Sequence, residues 1–110
     1  MGKIKPFFHE DERRIMAEYI EDIPMRSSKV IFMKKDAEVG NHWHELKDEV
    51  FFLLKGSGTY KLDGKVKDFK EGDCIFVKRG TTHTLNLKQG SIVLESSTMP
   101  YTKQDEHASL

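Results

Sequence analysis

His42 and His44 flank Trp43, and a carboxylate, Glu49, follows five positions after the second histidine. On an extended strand, residues two apart point to the same side, so both imidazoles face one way, as adjacent metal ligands require. An HxH pair alone carries little weight, because surface and core histidines are commoner. Glu49 adds to it. It lies an odd number of residues past His44, so one unbroken strand would send it to the opposite face. Leu46-Lys47-Asp48 must therefore turn the chain, after which Glu49 rejoins the histidines in line with Phe51 and Leu53. A carboxylate heading an apolar strand face is costly to bury unless a charge or donor meets it. A metal ion would meet it; so would Lys47, and so would solvent at a rim. His83 opens a stretch whose inner face continues through Leu85 and Leu87, either as a fourth ligand or as a capped rim residue. Three imidazoles and one carboxylate suit Fe, Mn, Ni, Cu, Co or Zn, and do not suit Mg or Ca. The ligands must be deprotonated, so binding weakens as pH falls through the histidine range.

Short strands must position these groups. Residues 30–33, 49–54, 59–62, 66–69, 74–77, 82–87 and 92–94 are rich in apolar and β-branched side chains. Asp63-Gly64 marks a hairpin, and Glu71-Gly72-Asp73 and Arg79-Gly80 mark further turns. Short strands at this spacing predict an all-β sandwich or barrel over residues 29–97. Residues 1–28 read as an N-terminal arm, in which 12–20 forms either a short helix or an extended segment and Pro24 ends it. Residues 98–110 read as a polar C-terminal tail with a loose end. In the strand over 49–54, Val50, Phe52 and Leu54 share the face opposite Glu49, Phe51 and Leu53. That second apolar face needs a cover: another sheet, the N-terminal arm, or the partner in a homodimer.

The residues from His42 to Gly56 resemble the first motif of the cupin superfamily. That motif expects HxH, a gap of three or four residues, Glu, six residues and Gly. The match is complete from His42 through Glu49 to Gly56, while Asp36 stands where the family has an upstream glycine. Gly72, Gly80 and His83 fit the second motif; Lys78 replaces its proline and Leu87 its asparagine. Asn86 lies one residue early, on the opposite strand face. The resemblance covers residues 29–97. It implies a double-stranded β-helix (jelly-roll) barrel, often dimeric, holding one divalent transition metal on His42, His44, Glu49 and His83 inside its mouth. It also implies that Glu49 could leave the metal and act as a catalytic base.

Composition excludes several partners. Eighteen Lys and Arg balance eighteen Asp and Glu, so no basic footprint for nucleic acid or an anionic membrane is expected. The longest apolar run, 50–54, is far too short to cross a bilayer. No signal-peptide pattern opens the chain, and the single cysteine, Cys74, makes no intrachain disulfide; a cytoplasmic setting is expected.

Phe51, Tyr60, Phe76 and Leu85 are candidates for the apolar lining of a substrate pocket, with core packing as the plainer role. Trp43 should point away from the histidines into packing. Cys74 reads as an inert buried thiol, and Lys78 and Arg79 as a solvated turn that could also receive an anion. His9 and His107 fall outside the ligand pattern. The function this supports is a metal-dependent enzyme, dioxygenase or isomerase-like, acting on a small polar molecule. The stretch at Gly40 is similar to cupins of sugar-nucleotide pathways, which makes a sugar-related substrate the preferred one. A non-catalytic ligand-binding or sensing module is the alternative.

Overall fold

The computed structural model describes residues 2–100 and 103–108. The chain is all-β. Strands β1 (Gly2–Ile4), β2 (Phe7–Glu10), β3 (Ile15–Glu18), β4 (Ser27–Phe32), β5 (Ala37–His44) and β6 (Glu49–Lys55) come first. Strands β7 (Ser57–Leu62), β8 (Lys65–Lys70), β9 (Cys74–Val77), β10 (His83–Leu87), β11 (Ile92–Ser97) and β12 (Glu106–Ala108) follow, with one 3-10 turn at Lys103–Asp105. Two five-stranded sheets, in the orders β1-β9-β6-β11-β4 and β12-β5-β10-β7-β8, face each other as a jelly roll. All pairings are antiparallel. Among the described residues no helix is long and apolar enough to cross a membrane.

Alternation along each strand sorts the core. Phe51, Leu53, Tyr60, Leu62, Phe69, Ile75, Val77, Leu85, Leu87 and Val93 fill the space between the sheets. The hairpin at Asp63-Gly64 forms as expected, with both residues at positive φ, the geometry that matches strand twist in a two-residue turn. Val50, Phe52 and Cys74 lie on the outer face, where Ile4, Ala17, Tyr19, Ile20, Ile23 and Met25 pack on them. The chain's own N-terminal segment is thus the cover for Val50 and Phe52, whereas Leu54 stays half exposed.

Of the two forms expected for residues 12–20, the extended one is found: β3 pairs with β2 as a hairpin. Asp11 sets the turn, its carboxylate accepting from the amides of Arg13 and Arg14, and a nine-residue segment is too short to hold a helix unaided. Part of the expected polar tail is ordered: β12 adds an edge strand to β5, placing Glu106 opposite His44 and Ala108 opposite His42, while the expected loose end at 109–110 lies outside the described residues. Phe76 does not face the barrel interior. Its neighbours Ile75 and Val77 do, so alternation turns Phe76 outward into the second cluster.

Candidate metal centre

The four side chains come from both sheets. His42 and His44 end β5, His83 begins β10 beside them, and Glu49 begins β6 in the facing sheet. The turn expected between His44 and Glu49 is the crossing from one sheet to the other. It is braced twice: Gly80 N donates to His44 O at 2.7 Å, and Arg79 donates to Asp48 from its backbone amide and its guanidinium. Arg79 is therefore a strut in this turn, and its guanidinium is turned to Asp48.

A bulge aims the histidines. β10 pairs His83 with His42 but Thr84 with Gly40, so Asn41 is an extra residue in β5. Gly40 and Asn41 both take positive φ, 95° and 73°. An extra residue shifts the alternation by one. Val39 packs against the core, and the bulge lets even-numbered His42 and His44 join it on the inner side. Glycine is favoured at position 40 for a second reason: a Cβ there would stand 3.3 Å from His83 O, a tight contact.

One ligand atom from each of His42, His44, Glu49 and His83 lies within 4.8 Å of the others. His42 is half-buried; the other three are buried. Glu49 Oε1 is 3.2 Å from His44 Nε2 and 3.4 Å from His83 Nε2, yet it accepts no hydrogen bond. The reason lies on the far side of the rings. His44 Nδ1 is 3.0 Å from the carbonyl of Asp105, and His83 Nδ1 is 3.4 Å from the carbonyl of Thr81. A carbonyl only accepts, so each Nδ1 carries the proton and each neutral ring turns a lone pair toward Glu49. Acceptors face acceptors, and a proton or a metal cation must sit between them.

The ionisation of the metal-free site reflects this crowding. Burial pulls His44 down, but the Glu49 carboxylate more than offsets it and His44 ends raised. Burial pushes Glu49 up, but His44, His83 and Lys47 together hold it at about 2. Burial carries His83 down to about 4. The donor set fits a divalent transition metal: three neutral nitrogens and one ionised oxygen, turned inward.

A cavity of about 140 Å³ opens beside the cluster, lined by Lys29, Ile31, Val39, His42, His44, Lys47, Glu49 and Glu95. Lys47 Nζ is 3.8 Å from Glu49 Oε2, and Lys29 Nζ is 3.1 Å from Glu95 Oε2. Burial, then the charge of Glu49, raises Glu95. Of the expected pocket residues, Phe51 borders the cluster, with its ring 5.7 Å from that of His83. Tyr60 packs edge-on against Phe69, and Leu85 is core. Phe76 is on the other face. Sequence reasoning passed over Lys29 and Glu95, and weighed Lys47 only as a partner for Glu49. The available signal is Glu95 itself, an acid in phase with Val93 and one residue past the expected strand end at Leu94. Cys74 is buried, its thiol pushed up to about 12 by desolvation. Trp43 points away from the cluster and stacks on His107 at 4.2 Å.

Residues 29–99 match the family described as Cupin domain. The chain is a cupin. Among curated relatives of this cupin, an uncharacterized protein of Aquifex aeolicus is 33% identical over 87 residues, spanning 78% of this chain and 70% of its own length. The oxalate-binding protein of Thermotoga maritima is 35% identical over 49 residues, 44% of this chain and 40% of that protein. Among solved structures, the QdtA 3,4-ketoisomerase of Thermoanaerobacterium thermosaccharolyticum, a double mutant in complex with TDP, superposes with a TM-score of 0.84 at 19% identity. That match covers 97% of this chain and 86% of the isomerase. The Mycobacterium tuberculosis rmlC epimerase gives 0.81 at 20% identity over 96% of this cupin, which spans 66% of the epimerase. At such identities these likenesses establish the jelly-roll fold.

Proposed function

We propose that this cupin binds one divalent transition metal on His42, His44, Glu49 and His83 and acts on a small, negatively charged polar molecule in the adjoining cavity. The observation that carries the proposal is the convergence of two imidazole Nε2 atoms on a buried carboxylate oxygen that has no hydrogen-bond partner. When bound, the metal supplies Lewis acidity or, if redox-active, oxygen chemistry. The chain's own residues supply the rest. With neutral imidazoles, Lys29 and Lys47 balance Glu49 and Glu95 in the cavity lining, so a divalent ion leaves an excess of positive charge beside a partly enclosed space. An anion relieves that excess. About 140 Å³ equals roughly five waters' share of liquid at ~30 Å³ each, so the enclosed part of the ligand is small.

Proton transfer falls to Glu95 in this proposal. A carboxylate held at about 2 is a poor base near neutral pH, while one raised by burial is better matched. Glu49 serves as a ligand. The partial likeness to an oxalate-binding protein supports a small carboxylic acid. The epimerase and ketoisomerase neighbours support a second reading, in which the sugar end of a sugar nucleotide enters the cavity and the nucleotide lies outside.

Titration of the metal-loaded protein with oxalate and with a TDP-sugar separates the two, and following each for turnover separates an enzyme from a binding module. Saturable binding of oxalate that is lost in Lys47→Met supports the first reading. Binding of the TDP-sugar alone supports the second and contradicts the first.

A further inference from the structure

We propose that Asp105 is a positioning residue of the metal centre, holding His44 in the tautomer that presents Nε2 to the metal, and that the segment leading into β12 is a working part of the site. This rests on the metal-centre reading above. Asp105 sits at the end of the 3-10 turn, 61 residues from His44 in sequence and only 2% exposed. Its carbonyl accepts the His44 Nδ1 proton at 3.0 Å. Its Oδ1 accepts from the amides of Glu45 and Leu46 at 2.9 and 2.8 Å, fixing the turn directly after His44. Its Oδ2 is buried, accepts no hydrogen bond, and lies 3.6 Å from the same Nδ1.

A buried carboxylate oxygen left without a donor is costly. Its position explains it: the negative charge faces the protonated side of the ring, so it favours Nδ1–H and makes Nε2 more electron-rich. A carboxylate or carbonyl behind a ligating imidazole orients the ring, selects its tautomer and strengthens the ligand. Asp105 provides both. β12 continues the arrangement, its backbone pairing with β5 at His44 and His42 while His107 stacks on Trp43 between them. The barrel strand that carries two of the four candidate ligands is thereby held in register by the last strand of the fold.

Asp105→Asn and Asp105→Ala in the full chain test this against wild type. Asn keeps an oxygen for the two amides but replaces the charge; Ala removes both. Zn(II) affinity is read by competition with a chelator, Co(II) absorption reports ligand geometry, and 15N NMR of the metal-free protein at alkaline pH reports the His44 tautomer. For Asp105→Asn the expected result is a 10- to 100-fold fall in Zn(II) affinity, a changed Co(II) spectrum, and an Nε2–H population at His44 absent from wild type. Its metal-free melting temperature stays near that of wild type, and Asp105→Ala falls further in affinity. Affinity within twofold of wild type with an unchanged tautomer overturns the proposal, as does a loss of affinity that merely tracks loss of thermal stability. A wild type that binds no metal removes the metal-centre reading instead. The tautomer then decides: a shift in Asp105→Asn keeps Asp105 as the group that positions His44, and no shift overturns that too.

Discussion

Lys47 Nζ lies 3.8 Å from Glu49 Oε2, and each side chain is only 3% exposed. A buried ammonium next to a carboxylate that ligates a cation has two opposed effects. It competes with the cation for the carboxylate, and it attracts an anion bound beside the metal. Lys47→Met therefore changes two affinities in opposite directions. Metal affinity should rise by well over tenfold, because one unit charge about 4 Å from another is worth about 4 kcal/mol at an effective dielectric near 20, while a small anion should bind the loaded protein at least tenfold more weakly. Chelator competition and calorimetry read the two effects separately. Equal losses in both would mean that Lys47 is only packing.

Gly40→Ala tests the bulge. The backbone there has φ of 95°, and a Cβ would meet His83 O at 3.3 Å. The strain should cost about 1–3 kcal/mol in denaturant unfolding, and metal affinity should fall because His42 is re-aimed. Gly90→Ala is the control. It also has positive φ, but nothing lies within 4 Å of the added carbon, so it should lose stability alone.

His83 makes the metal-free protein less stable in mild acid. Its folded pKa, depressed by burial to about 4, lies below the ordinary histidine value of 6.5. Below pH 6.5 the unfolded chain takes up the proton first, so stability falls until about pH 4. The loss amounts to roughly 3 kcal/mol at 1.36 kcal/mol per unit. His44 acts in the opposite sense: it is raised, so its contribution is complete below 6.5 and is lost as pH rises through its folded value. Glu49 titrates near 2, outside this window. Urea midpoints of metal-free wild type and His83→Gln between pH 7.5 and 4.5 check this. The variant should lose most of the slope.

Tyr19 stacks on Phe52 with ring centroids 4.7 Å apart. Tyr19→Ala should cost about 2 kcal/mol, less than a fully buried aromatic because Tyr19 is half-buried. It should also open the outer face of β6 to a hydrophobic dye. Dye binding indistinguishable from wild type would show that the rest of the N-terminal segment covers the face without it.

The barrel was legible because its strands alternate and its turns carry the residues that turns require, as at Asp63-Gly64. The four-residue cluster was legible because HxH and the offset of Glu49 demand a change of direction between them. Less visible was how the chain achieves it. The Gly40-Asn41 bulge moves the phase of β5, and only the pair of residues tolerant of positive φ hinted at it. Long-range partners left no local trace. Glu95, Lys29 and Asp105 reach the site through sheet register and an edge strand, across 46, 15 and 61 residues from Glu95 to Glu49, Lys29 to His44 and Asp105 to His44. Phe76 was misplaced because 74–77 is apolar on both faces, and periodicity cannot choose which side of such a strand is interior.

The most direct measurement is the metal content and metal affinity of the purified protein beside a His42→Ala, His83→Ala double variant. One transition metal per chain in wild type, present on purification or taken up on incubation with iron, manganese, nickel, copper, cobalt or zinc, and absent from a folded double variant, is the predicted result. A wild type that stays empty after every incubation, or a double variant that binds as tightly as wild type, would contradict the account.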